Sequence, residues 1–172
     1  MTAARLAARL FSGRPASESV STSVCFEASP ETVWQRMLMY EEVSVRPSLI
    51  LRALLPLPLS TEGDKSRVGA NIHCAYREGD LMKRITVVDA PHLLEFDVIR
   101  QSLGFEGCVT ALGGSYRLRP SGEQTEIALT TKYHAHLRPR RVWRPLERFV
   151  AHLFHRHILA GMRDSLPRPS QA

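Results

Sequence analysis

The last third of the chain constrains the fold most. An alternating run from Thr125 to Leu137 passes through Arg138-Pro139-Arg140-Arg141 into one long amphipathic segment, Val142 to Leu166. Upstream lie several strand candidates and one short helical segment. Antiparallel strands with one wet face must cover the other, and a single closing helix is the available cover. The expected fold class is therefore α+β. A curved antiparallel sheet of six or seven strands wraps the C-terminal helix, with room for a cavity between them.

The strand candidates follow from period-2 alternation. Val20 to Ala28 places Val20, Thr22, Val24 and Phe26 on one face. Ser29 is a natural N-cap, Pro30 suits the first helical position, and Val33, Trp34, Met37 and Leu38 form the apolar stripe of a short helix. Ser48 to Leu55 reads as a strand. Leu55 to Leu59 holds Pro56 and Pro58, which remove ladder donors, so it reads as a rim loop continuing through Ser60 to Ser66. Val68 to Arg77 puts Ala70, Ile72, Cys74 and Tyr76 together, with a turn at Glu78-Gly79-Asp80. Leu81 to Asp89 aligns Leu81, Lys83, Ile85 and Val87, and Leu93 to Gln101 aligns Leu94, Phe96 and Val98. Cys108 to Leu118 contains Gly113-Gly114, the mark of a bulge or bend. The last strand aligns Ile127, Leu129, Thr131, Tyr133 and Ala135.

At about 100° per residue, the closing helix gathers Trp143, Leu146, Val150, Leu153, Phe154 and Gly161 on one face, with Glu147 and His157 near it. Arg141, Arg144, Arg148, His152 and His155 fall opposite.

The domain reading is an Arg-rich, flexible arm at 1–17, one domain at 18–166 and a tail at 167–172. The 172 residues suit one hydrophobic core. The net charge is +6, and from Lys132 onward nine Lys/Arg face only two acids, Glu147 and Asp164. The basic balance is thus local to the C-terminal third. It is read as a solvated helix face, with an anionic membrane surface as the second kind of partner it allows and no nucleic acid expected. Cys25, Cys74 and Cys108 are widely spaced and odd in number, which suits reduced thiols and a cytoplasmic location. The arginines Arg5, Arg9 and Arg14 interrupt any secretory apolar core.

The opening run Val24 to Trp34, the Tyr76 to Gly79 hairpin, the Asp89-Ala90-Pro91 turn, Gly113 to Tyr116 and the final helix together resemble the helix-grip fold. More specifically, the chain resembles the SRPBCC superfamily, which includes START lipid-transfer domains, birch-pollen-allergen-like proteins and polyketide cyclase/dehydrase-like proteins. The resemblance implies a cavity for a hydrophobic or amphipathic small molecule, lipid-like or polyketide-like. It supplies no catalytic residue by position.

Glu147 and His157 are the sharpest chemical candidates. A carboxylate facing an apolar cavity would carry a raised pKa or pair with a ligand's polar end, and Glu147 with a tyrosine would make the acid/base pair of a cyclase or dehydratase. The bland readings are an ion pair of Glu147 with Arg144 or Arg140 and a satisfied core position for His157. Tyr76, Tyr116 and Tyr133 fall on inward faces and are candidates to line the pocket with Val150 and Phe154, the bland alternative being core packing. His152, His155 and His157 lack a completing ligand, and His73, His134 and His136 alternate outward, so no metal is expected. No G-x-S-x-G or phosphate-loop pattern occurs, and no cofactor is expected. Binding of a small molecule is the leading expectation, ahead of catalysis and of a peripheral membrane or protein-interaction role.

Overall fold

A computed structural model describes residues 15–39 and 58–166. The elements are β1 (Ala16–Phe26), α1 (Pro30–Met39), β2 (Pro58–Glu62), β3 (Asn71–Tyr76), β4 (Gly79–Asp89), β5 (Leu93–Ser102), β6 (Val109–Ser121), β7 (Gln124–Ala135) and α2 (Arg140–Asp164). Among the described residues the strands form one seven-stranded sheet in the order β1-β7-β6-β5-β4-β3-β2, antiparallel at every step. This is the expected α+β helix-grip architecture. Residues 1–14 and 167–172, and the strand expected at Ser48 to Leu55, lie outside the described residues. The sheet itself begins at Ala16, where Ala16 and Ser17 pair with Ala135 and His134.

Local chemistry sets the elements. In β1, Val20, Thr22 and Phe26 are buried while Ser19, Ser21 and Cys25 face solvent. The Ser29 hydroxyl accepts the Thr32 amide at 3.3 Å and caps α1. Val33, Trp34 and Met37 of α1 then enter the core beside Phe26, Leu118, Ile127, Leu159 and Met162. Full burial of a side chain of this size is worth roughly 1.5–3 kcal/mol. Leu159 and Met162 lie in the same cluster as the inward residues of β3 to β7, so the second half of α2 fills the concave side.

Two strand assignments are corrected. Residues 58–62 form a strand, not a rim loop. They pair with β3 only, at the sheet edge, and Pro58 is the first residue, the two positions at which a strand tolerates proline. In β4 the register shifts between Ile85 and Val87. The extra residue flips the alternation, so Val88 rather than Val87 packs on the core.

The bend foreseen at Gly113-Gly114 is a close approach of neighbouring strands. The register of β6 on β7 shifts between Ala111 and Gly113. A Cβ on Gly114 would sit 2.2 Å from the Thr130 carbonyl oxygen, and one on Gly113 would sit 2.4 Å from that of Phe96.

The phase of α2 also differs from the expectation. Leu146, placed on the core face, is 44% exposed, with Val142 at 62% and Phe149 at 50%. His155, placed on the outer face, is 1% exposed. The apolar residues of the two halves lie on different sides of the helix, so one angular average over 25 residues misses both. The second half is gripped by the sheet, with His155, His157, Leu159, Gly161 and Met162 all buried.

Candidate functional site

A cavity of about 110 Å³ lies between the sheet and the second half of α2. Its floor is apolar, made by Ile72, Ile85, Leu94 and Leu129 from β3, β4, β5 and β7. Phe154, Ile158 and Met162 of α2 close it from above, and Met37 of α1 reaches its edge. Into this wall project the polar groups of Thr61, Lys65, Cys74, Tyr76, Lys83, Tyr116 and Thr131.

Lys83 dominates the chemistry. It stands between Leu81 and Ile85 on the inward face of β4, where alternation leaves no other direction for the side chain. Its Nζ sits 4.7 Å from the centre of the Phe96 ring, and Phe96 in turn tilts against Tyr116 with ring centres 6.3 Å apart. The ion pairs among the described residues are His73–Asp80, Arg100–Asp80, Arg140–Glu18, Arg140–Glu147 and Arg144–Glu18, and none includes Lys83. Among the described residues the ammonium meets the ring face of Phe96 and makes a hydrogen bond to Cys74. Burial works against the Lys83 cation, whereas Cys74, Tyr116 and Tyr76 in their anionic forms outweigh burial and hold its proton on. Around neutrality Lys83 is thus a desolvated cation facing neutral phenols.

Burial pushes the Tyr76 phenol up to about 12, with the Lys83 charge opposing, and burial likewise raises Tyr116. Both phenols are thus neutral and keep their O–H donors. The Thr61 hydroxyl donates to the Cys74 sulfur at 3.9 Å.

The other site residues expected from sequence divide sharply. Tyr76, Tyr116 and Phe154 line the cavity, whereas Tyr133, Glu147, Val150 and His157 are not among its lining residues. Glu147 lies on the β1 side of α2 and accepts both ends of the Arg140 guanidinium, at 2.6 and 2.7 Å. Arg140 also donates to Glu18 at 3.2 Å, and Arg144 donates to the other Glu18 oxygen at 3.1 Å. The first turn of α2 carries no acid of its own, and Glu18 of β1 with Glu147 supplies the negative charge its positive end needs. Glu147 is thus an ion-pair residue, and its place as an acid/base group in the pocket is corrected. Arg148 donates to the Ser19 carbonyl, so two of the three arginines expected on a free outer face, Arg144 and Arg148, are tied to β1.

Tyr133 packs with Val20 and Ala135 in a separate small cluster. Its hydroxyl has no partner among the described residues, and burial first, then Glu147 and Glu18, raises its pKa. His157 is buried and its pKa is lowered by that burial. Val150 is half-buried.

Sequence reading passed over three groups. Lys83 was visible as one base on an otherwise apolar strand face, and Thr131 as one hydroxyl on another. His155 gave no signal, because the angular average turned it outward. Its Nδ1 lies 3.0 Å from Thr22 Oγ1, and its Nε2 lies 2.8 Å from the Thr131 hydroxyl. Thr22 Oγ1 also lies 2.8 Å from His152 Nδ1. Burial pulls the His155 pKa down to about 4, helped by the neighbouring His152. Among the described residues no cluster of three or more His, Cys, Asp or Glu is placed to hold a metal ion, and no helix is long and apolar enough to cross a membrane.

No protein-family model matches the chain, and no curated protein matches it in sequence. Solved structures match over most of its length. The Aha1 dimer from Colwellia psychrerythraea shares 12% identity with a TM-score of 0.56, covering 89% of this chain and 98% of its own. Norcoclaurine synthase from Thalictrum flavum, in complex with dopamine and hydroxybenzaldehyde, shares 16% identity with a TM-score of 0.55, covering 91% of this chain and 96% of its own. Ara h 8.0201 shares 11% identity with a TM-score of 0.55, covering 88% of this chain and 98% of its own. At these identities the likeness establishes the fold alone, and that fold is the helix grip.

Proposed function

We propose that this protein binds a small amphipathic molecule, an aromatic ring or short apolar chain bearing an anionic or carbonyl end, in the cavity between sheet and α2. The observation that carries the reading is Lys83, a cation in an apolar cavity with no carboxylate partner among the described residues. A ligand carboxylate or carbonyl is the partner that removes the cost of its burial. Tyr76 and Tyr116 add neutral donors beside it. Size narrows the ligand further. The 110 Å³ cavity is somewhat smaller than the roughly 150 Å³ that holds benzene in an engineered protein core, so the enclosed part is one ring or a short chain rather than a whole lipid or fused polyketide. Norcoclaurine synthase, a neighbour in fold, was solved with two single-ring ligands, which fits this scale.

Catalysis by a cyclase or dehydratase route through Glu147 has no support in this geometry, because Arg140 occupies both carboxylate oxygens. A membrane-surface role is weakened by the engagement of Arg144 and Arg148 with β1.

The test is calorimetric titration with benzoate and with toluene on the full chain. Benzoate binds and raises the melting temperature, and Lys83→Met weakens it about tenfold or more, the worth of a charge-assisted hydrogen bond, while toluene changes little. Equal benzoate affinity in the wild type and the Lys83→Met protein defeats the role of Lys83. Absence of binding by both probes defeats the cavity reading.

A further inference from the structure

A continuous file of hydrogen bonds runs from the cavity to the outside of the protein. Thr131 lines the cavity and meets His155 Nε2 at 2.8 Å. His155 Nδ1 meets Thr22 Oγ1 at 3.0 Å, and Thr22 meets His152 Nδ1 at 2.8 Å. His152 is half-buried, at the outer end. The file joins β7, α2 and β1, and none of its three inner members has reason to be there for packing alone. A buried threonine, a buried histidine and a cavity threonine could all be apolar.

Such a file has two self-consistent senses. In one, the Thr131 hydroxyl donates to His155 Nε2, His155 donates from Nδ1 to Thr22, and Thr22 donates to His152. Thr131 then offers the cavity only its lone pairs. In the other, His152 donates from Nδ1 to Thr22, Thr22 donates to His155 Nδ1, and His155 donates from Nε2 to Thr131. The Thr131 hydroxyl hydrogen is then free to point into the cavity. A protonated imidazole carries hydrogen on both nitrogens, so a proton on His152 excludes the first sense, and the second is the one that gives the buried Thr22 hydroxyl hydrogen an acceptor, His155 Nδ1.

We infer that this file is a polarity relay: protonation of His152 at the protein's edge makes Thr131 a hydrogen-bond donor inside the cavity and tightens binding of ligands with an acceptor group. The inference rests on the small-molecule binding reading above and adds to it a pH-governed selectivity for acceptor-bearing ligands. It requires His155 to remain neutral when His152 carries a proton. Burial, which holds His155 near 4, meets that requirement. No proton crosses the protein; only the direction of donation changes.

The charged surroundings do not override the relay. On β1, the inward carboxylate is Glu18, which Arg140 and Arg144 hold. On α2, Glu147 is held by Arg140, Arg148 donates to the Ser19 carbonyl, and His157 is buried with its own pKa lowered. On β7, Tyr133 is buried and neutral near pH 7, and Lys132 is on the exposed face. The titratable group whose charge bears on His155 is His152.

Two near-isosteric probes separate the outcomes. Acetophenone has an acceptor that does not titrate, and α-methylstyrene has none. Their affinities are measured at about pH 8 and about pH 5.5. Acetophenone is expected to bind about fivefold tighter at the lower pH, the worth of one neutral hydrogen bond, with α-methylstyrene unchanged. In Thr22→Val and His152→Gln proteins the pH effect disappears while affinity at the higher pH persists. Nitrogen NMR of the His155 ring should show the Nε2–H tautomer gaining on acidification in the wild type alone. Acetophenone affinity flat with pH, or equally pH-dependent in both variants, overturns the relay and leaves the binding reading standing. Failure of both probes to bind at either pH overturns the binding reading and the relay with it.

Discussion

Acid should loosen this protein through His155, in a window set by that residue. An unfolded chain protonates histidine near its ordinary 6.5, whereas the folded protein refuses the proton until about pH 4. Between these values the unfolded state binds more protons than the native state, so stability falls as pH falls. The contribution is fully present above about pH 6.5 and is lost by about pH 4. Its slope approaches 1.4 kcal/mol per pH unit, and its total is about 3 kcal/mol for a displacement from 6.5 to about 4. That is a large part of the 5–15 kcal/mol typical of a domain. Equilibrium urea unfolding followed by circular dichroism, at steps from about pH 8 to about pH 4.5, gives the curve. A His155→Gln protein keeps a donor and an acceptor near Thr22 and Thr131 but cannot titrate. It should be less stable than wild type at the higher pH and lose most of the slope, so the two curves converge on acidification. His157, also lowered by burial, leaves a residual slope of the same sign in both proteins. The lowered carboxylates Glu18, Asp80 and Glu106 act at more acid pH, below the steep part of this window. Parallel curves for the two proteins across this window would refute the assignment of a neutral, buried His155.

Two further outcomes follow from the same geometry. Gly114→Ala would drive a Cβ to 2.2 Å from the Thr130 carbonyl, and a cost of about 2 kcal/mol or more should appear in chemical unfolding; an unchanged midpoint would mean that β6 and β7 separate easily there. Glu147→Gln should cost about 1–2 kcal/mol, since Arg140 keeps Glu18, and should leave benzoate affinity unchanged; a loss of binding at equal stability would return Glu147 to the site.

The sheet was legible because alternation survives in a short window. Val20, Thr22 and Phe26, or Ile127, Leu129, Tyr133 and Ala135, carry their facing in adjacent residues. The errors arise where an outside partner decides. Thr86 adds one residue to β4 opposite β5, and every facing after it inverts. Residues 58–62 become a strand because β3 offers them an edge on which Pro58 can sit first. The site follows the same rule. Tyr76, Tyr116 and Phe154 were visible as inward aromatics and do line the cavity. Tyr133 shares the strand face of Thr131 but packs in the cluster with Val20, outside the cavity lining.

By itself, the sequence determined the fold class, the faces of the strands that keep an unbroken alternation, the capped short helix and the closing helix with its arginine-rich start. These are local properties, carried by periods of 2 and 3.6 residues and by caps. Tertiary structure decided the phase of α2, and with it the fates of its ionisable groups. Glu147 turned to Arg140 and Glu18 at β1, while His155 turned inward to Thr22 and Thr131. The reason is physical. A helix with apolar residues on more than one side has several faces it could bury, and the choice belongs to the surface it meets. Here β1 presents a carboxylate at one end and a hydroxyl further along, and α2 rotates to satisfy both.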